Sequence, residues 1–86
     1  MKTYNDYNGW KNRQTWNVAL HINNDYSLYQ SAKEYVKLYP NSKKLYGGFI
    51  KWAGLAGDVT PDRIKWNGTK LDYKALNSMM IELINH

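Results

Sequence analysis

Asp72-Tyr73-Lys74-Ala75-Leu76-Asn77-Ser78-Met79-Met80-Ile81-Glu82-Leu83-Ile84 decides the fold class. Asp72 is a capping residue type, because its side-chain oxygen accepts a hydrogen bond from the free N–H groups of a first helical turn. Behind it Tyr73, Leu76, Met80 and Leu83 recur at spacings of three and four, with Met79 and Ile84 beside them. That period makes one apolar stripe on an α-helix, not the two-residue alternation of a strand.

The same period returns upstream. Leu28, Ala32, Tyr35 and Tyr39 share a helical face, while Gln30, Lys33, Glu34 and Lys37 fall elsewhere on the wheel. Pro40 stops that helix. Asn41 is the expected cap of a third segment, whose stripe is Leu45, Phe49 and Trp52 with Ile50 and Ala53. Gly47 and Gly48 each cost such a helix about 1 kcal/mol relative to Ala, which is easier to understand if another backbone packs closely there. Nearer the start, Asn12 caps a helix with Trp16, Ala19, Leu20 and Ile22 or Asn23 facing inward. Val18, Leu20 and Ile22 also alternate as a strand would. Asn23-Asn24-Asp25 ends this element and offers a cap to the next.

Between Trp52 and Asp72 two readings stand. Thr60-Pro61-Asp62 suits a helix start, with Pro at the first helical position. Arg63–Leu71 reads equally well as a hairpin turning at Asn67-Gly68, the preferred pair for a type I′ turn. The expected fold is therefore mainly α: a small compact helical domain of three to four helices, with a short β-hairpin near 63–71 as the alternative to helix. Residues 1–9 read as an N-terminal tail or irregular lead-in, and 10–86 as a single globular domain.

Composition narrows the function. A chain of 86 residues has a thin stability margin. Four Trp, eight Tyr and one Phe carry much of it, each ring burying on the order of 150–250 Å². With no cysteine there is no disulfide framework, thiolate metal site or cysteine nucleophile. Met1–Trp10 lacks the apolar core of a signal peptide, and no stretch approaches the roughly 20 apolar residues of a membrane span. The expected place is the cytoplasm, with no membrane partner. The net charge of +5 favours acidic partners. Its excess is local, since Lys33, Lys37, Lys43, Lys44 and Lys51 meet only Glu34 in their stretch.

No spacing resembles a metal-binding His-Glu-x-x-His, a paired carboxylate site or a phosphate-cradling glycine loop. His21 reads as a surface or hydrogen-bonded packing residue rather than a general base, and Asp25, Asp62 and Asp72 read as caps or solvated charges. No catalytic residue, metal or cofactor is expected. Lys33–Tyr39 and Lys43–Tyr46 interleave charge with rings, as single-strand binders do. Against this, Tyr35 and Tyr39 lie on the predicted core stripe, which would leave the lysines as a solvated face. Lys44–Trp52 approaches the ribonucleoprotein-1 pattern, but its extra glycine would send Tyr46 and Phe49 to opposite faces of a strand. That reading fails.

The last constellation is Asn8-Gly9-Trp10-Lys11-Asn12-Arg13-Gln14-Thr15-Trp16-Asn17-Val18-Ala19-Leu20. Asn12 and Thr15 can cap, Trp16 can anchor the core, and Asn17 can satisfy a neighbouring backbone. Trp10, Arg13 and Asn17 are the candidate protein interface, being residue types of the kind found in hot spots. Continued through Asn24-Asp25 to Leu28-Tyr29, this stretch resembles a group of small proteins of bacteriophages and some bacteria. The likeness is looser over Pro61-Asp62, Ile64, Trp66 and Leu71-Asp72. It implies a context, a phage-type accessory protein in the bacterial host cytoplasm, and no mechanism. It carries over no catalytic residues. Taken with the small size, the absent catalytic set and the aromatic-rich polar motif, it makes docking on a host or phage macromolecule the leading expectation, with inhibition of a host defence or takeover target as one form of it. A nucleic-acid-binding module using the five lysines is the second expectation, and a virion or scaffold component the third.

Overall fold

The computed structural model describes residue 7 and residues 9–85. The lead-in expected over 1–9 therefore lies outside the described residues except at Tyr7 and Gly9, as does His86. Four α-helices form the regular structure among the described residues: α1 (Arg13–Asn24), α2 (Tyr26–Leu38), α3 (Leu45–Trp52) and α4 (Tyr73–Glu82). The mainly α expectation holds. No helix among them is long and apolar enough to cross a membrane.

Three helices begin where a short polar side chain closes the first turn. Asn12 accepts from the Thr15 N–H at 2.9 Å, Asp25 from Leu28 at 3.1 Å and Asp72 from Ala75 at 3.1 Å. Asp25 also donates its own N–H to the His21 carbonyl at 3.0 Å, so one residue ends α1 and opens α2. α3 differs. Its cap position is Lys44, with no side-chain cap, so Asn41 does not serve as the sequence suggests. The free N–H of Tyr46 is instead taken by Asn77 Oδ1 of α4 at 2.8 Å, a partner that no local reading could supply.

α1 packs on α2 and α3 on α4, with α4 also meeting α1 and α2. Val18, Ala19 and Ile22 come into the core from α1, and Ala32, Tyr35 and Val36 from α2. α3 contributes Leu45, Tyr46, Phe49 and Ile50, α4 Leu76 and Met80, and Trp66 and Leu71 enter from the connection between them. The inner face of α1 is thus turned by about one position from the expected Trp16-Leu20 face. Val18 and Ile22, which looked strand-like, are four apart on one helical face, and Trp16 and Leu20 are only half-buried.

The connection corrects the sequence reading more deeply. No strand forms among the described residues, and 61–71 is neither helix nor hairpin. The chain reverses earlier than Asn67-Gly68 would suggest, across Thr60–Ile64. Arg63 donates its N–H to the Thr60 carbonyl and Thr60 donates its own to the Ile64 carbonyl, both at 2.8 Å. One isolated antiparallel bridge, Val59 with Lys65, flanks this turn. Pro61 supplies the fixed φ for its first central position, and Arg63 closes it at φ +67°. A second turn closes at Gly68, whose N–H reaches the Lys65 carbonyl at 3.3 Å, but it joins no paired strands, and the Asn67 side chain accepts from Gly57 N–H at 3.3 Å.

Gly48 explains itself in the packing. A Cβ there would overlap the phenol oxygen of Tyr35, so a side chain of α2 occupies the space that the sequence assigns to a backbone. Gly47 has nothing within 4 Å of where its Cβ would stand. The two adjacent glycines should therefore respond oppositely. Gly47→Ala should raise stability by up to about 1 kcal/mol through helix propensity, whereas Gly48→Ala should lower it, with partial recovery when combined with Tyr35→Phe. Urea midpoints of the three variants check this, and equal shifts for the two alanines would contradict the packing.

Candidate functional site

The first candidate group does not come together at the surface. Arg13 is exposed at the start of α1. Trp10 is half-buried against the core and donates its N–H to the Tyr7 carbonyl at 2.9 Å. Asn17 is wholly buried. Its Nδ2 donates to Asp62 Oδ2 at 2.7 Å, and its Oδ1 accepts from Thr60 Oγ1 at 2.7 Å. With oxygen and nitrogen both engaged inside, Asn17 leaves the proposed interface: it holds the 60–64 turn, not a partner.

Thr60 is the other half of this contact. Only 2% exposed, its hydroxyl donates to Asn17 and accepts from the N–H groups of Asp62 and Ile64, both at 3.2 Å. Asp62 lies at the surface, where His21 Nε2 stands 3.0 Å from Oδ2. The hydrogen bond from Asn17, then that from His21, and then the charges of His21 and Arg13 hold the Asp62 carboxyl below its ordinary value. A parallel stitch lies one turn earlier on α1. Thr15 Oγ1 donates to Asn12 Oδ1 at 2.7 Å and accepts from Asp72 N–H at 2.9 Å, while Asn12 Nδ2 reaches the Lys70 carbonyl at 2.8 Å. The amide-rich motif is thus mainly an internal clamp. Sequence reasoning paired none of it with Thr60-Pro61-Asp62, which it read as a helix start.

The second candidate group gains what the first loses. Lys37, Lys43, Lys44 and Lys51 are exposed, and Lys33 lies with its ammonium 5.4 Å from the centre of the Tyr29 ring. Lys44 and Lys51 line a groove of about 420 Å³ together with Tyr35, Asn67 and Tyr73. Beside it two rings that the stripe pattern placed in the core stand half out. Tyr39 is 48% exposed and Trp52 47%, each packed on Tyr35 with centroids 4.9 and 5.5 Å apart. The reason is local: α2 ends at Leu38, so Tyr39 is its C-cap and departs from the helical stripe. Burial raises the Tyr73 phenol in this wall. Among the described residues no group of three His, Cys, Asp or Glu side chains is placed to hold a metal ion.

A family model described as a family of unknown function, DUF7249, matches residues 3–86. The chain belongs to this family. No curated protein and no solved structure matches it. The DUF7249 match takes in both ends of the internal clamp, Asn12–Asn17 and Thr60–Asp72, as well as the basic groove.

Two outcomes follow for this DUF7249 chain. Asn17→Ala should cost about 2–3 kcal/mol, because it leaves the buried Thr60 hydroxyl without its acceptor and opens a cavity. Thermal denaturation reads this, and a loss below about 0.5 kcal/mol would deny the clamp its role. The carboxyl of Asp62 is depressed in the folded state, so its contribution is present above the ordinary carboxylate range of about 4 and is lost as pH falls below it. Asp62→Asn should flatten the acid limb of the stability–pH curve below the ordinary carboxylate range of about pH 4.

Proposed function

We propose that this DUF7249 member is a non-enzymatic, phage-type accessory protein of the bacterial cytoplasm that binds single-stranded nucleic acid along the edge formed by α2 and α3. One observation carries the reading: Tyr39 and Trp52 are half-exposed around Tyr35, beside a groove lined by Lys44 and Lys51. Ammonium groups neutralise phosphates and release condensed counterions, while exposed rings stack on bases. Unpaired bases offer their faces and duplex bases do not, which favours a single strand. The phage context rests on the resemblance of the Asn8–Tyr29 stretch. Docking on a host protein through Trp10 and Arg13 is the reading held in reserve, weakened by the burial of Asn17.

Fluorescence anisotropy of labelled single-stranded and duplex DNA and RNA at low and moderate salt tests this. Single strands should bind more tightly than duplex. Trp52→Ala should weaken binding by about 1–3 kcal/mol if one base stacks there. Lys44→Ala and Lys51→Ala should each reduce the slope of log K against log salt by about 0.7. Absence of binding at low salt, or binding indifferent to Trp52 and both lysines, would overturn the reading. Affinity capture from host lysate, with Arg13→Ala as control, would then decide for the protein partner.

A further inference from the structure

The turn that ends at Arg63 also shapes a second cleft, which shares no lining residue with the α2–α3 groove. It encloses about 270 Å³ between Gln14 of α1 and the 63–71 segment. Arg63, Lys65 and Lys70 line it, Ile64 and Leu71 give it an apolar wall, and no acidic side chain contributes. The two acids that flank this segment are already committed. Asp62 Oδ2 is held by Asn17 and His21, and Asp72 Oδ1 caps α4. Among the described residues none of the three cations makes an ion pair.

Arg63 sits in the left-handed region at φ +67°, which a β-carbon makes costly and which glycine occupies freely. Glycine would close the same turn without strain, so the turn itself gives no reason for an arginine. The cleft gives one. A guanidinium grips phosphate oxygens through paired N–H donors, and two ammonium groups add charge without needing fixed directions. The volume lies just below the usual range for small-molecule pockets, about 300–1,000 Å³, which suits a ligand of nucleotide size or less.

We propose that this cleft binds a small phosphate monoester, with the phosphate on Arg63, Lys65 and Lys70 and the organic remainder against Ile64 and Leu71. Calorimetric titration of the whole chain with adenosine monophosphate, inorganic phosphate and adenosine tests it. The monophosphate should saturate in the micromolar to millimolar range, inorganic phosphate should bind more weakly, and adenosine should not register. Arg63→Gly keeps the turn and relieves its strain, so its melting temperature should not fall while monophosphate affinity drops about tenfold or more. Lys65→Ala and Lys70→Ala should each weaken the monophosphate too. Single-stranded DNA affinity should hold within about twofold in Arg63→Gly, since that surface lies elsewhere; this separates failure of the cleft from failure of the nucleic-acid reading. No saturation by the monophosphate up to about 10 mM would overturn the assignment, as would saturation that survives Arg63→Gly. Equal affinity for inorganic phosphate and monophosphate would overturn the role of the apolar wall and leave a bare anion site.

Discussion

The contact between Asn17 and Thr60 is the constraint on which the rest of the architecture depends. Residues 53–72 join α3 to α4 with no helix and only one isolated bridge, an unusual length of irregular chain for so small a fold. Such a segment needs partners for its backbone and its polar side chains, and α1 provides them at three successive positions of its first turns. Asn12 holds the Lys70 carbonyl, Thr15 the Asp72 N–H and Asn17 the Thr60–Asp62 turn. Two tyrosines hold the same segment from its other neighbours: Tyr46 donates to the Trp66 carbonyl and Tyr73 to the Gly68 carbonyl. Burial drives the Tyr46 phenol far upward, so it remains a neutral donor throughout the range in which the protein folds. A buried amide or hydroxyl left unpaired is expensive, and this cost makes the path of the connection specific where secondary structure does not.

The aromatic residues divide between holding the fold and facing outward. Tyr46, Phe49 and Trp66 are interior, and Tyr35 forms the boundary, touching Phe49 on one side and Tyr39 and Trp52 on the other. Because Gly48 gives the Tyr35 phenol room, that ring lies close on α3 and supports its two exposed neighbours. Rigid rings with few rotatable bonds lose little entropy on binding, which suits the binding surface proposed above.

The cations are likewise divided. Lys44 and Lys51 line the larger groove, of about 420 Å³, beside the half-exposed Tyr39 and Trp52. Arg63, Lys65 and Lys70 line a smaller cleft of about 270 Å³, walled by Ile64 and Leu71. The two anions proposed for them differ in size accordingly. The C-terminal third looks nearly neutral along the chain because Asp58, Asp62, Asp72 and Glu82 balance its four cations in number. The fold separates them in space, turning Asp62 toward α1 and Asp72 into a cap.

What the sequence determined by itself is what short-range hydrogen bonds and period determine. The helical class, the caps at Asn12, Asp25 and Asp72, the stripe of α4 and the stop before Pro40 all follow from residues within a few positions of one another. The basic zone of Lys33–Lys51 was equally plain, because it is a local excess. Tertiary structure alone decided the rest. Asn17 looked like a hot-spot residue because its partners, Thr60 and Asp62, stand far along the chain. The antiparallel reversal fell at Thr60–Ile64 because Thr60 is pinned from α1, while the turn at Asn67-Gly68 joins no paired strands. The cap of α3 came from Asn77, the exposure of Tyr39 from where α2 ends, and the cleft at Arg63 from a turn closed against α1. Each of these depends on which groups meet across the fold, and a sequence read by local propensity carries no term for that meeting.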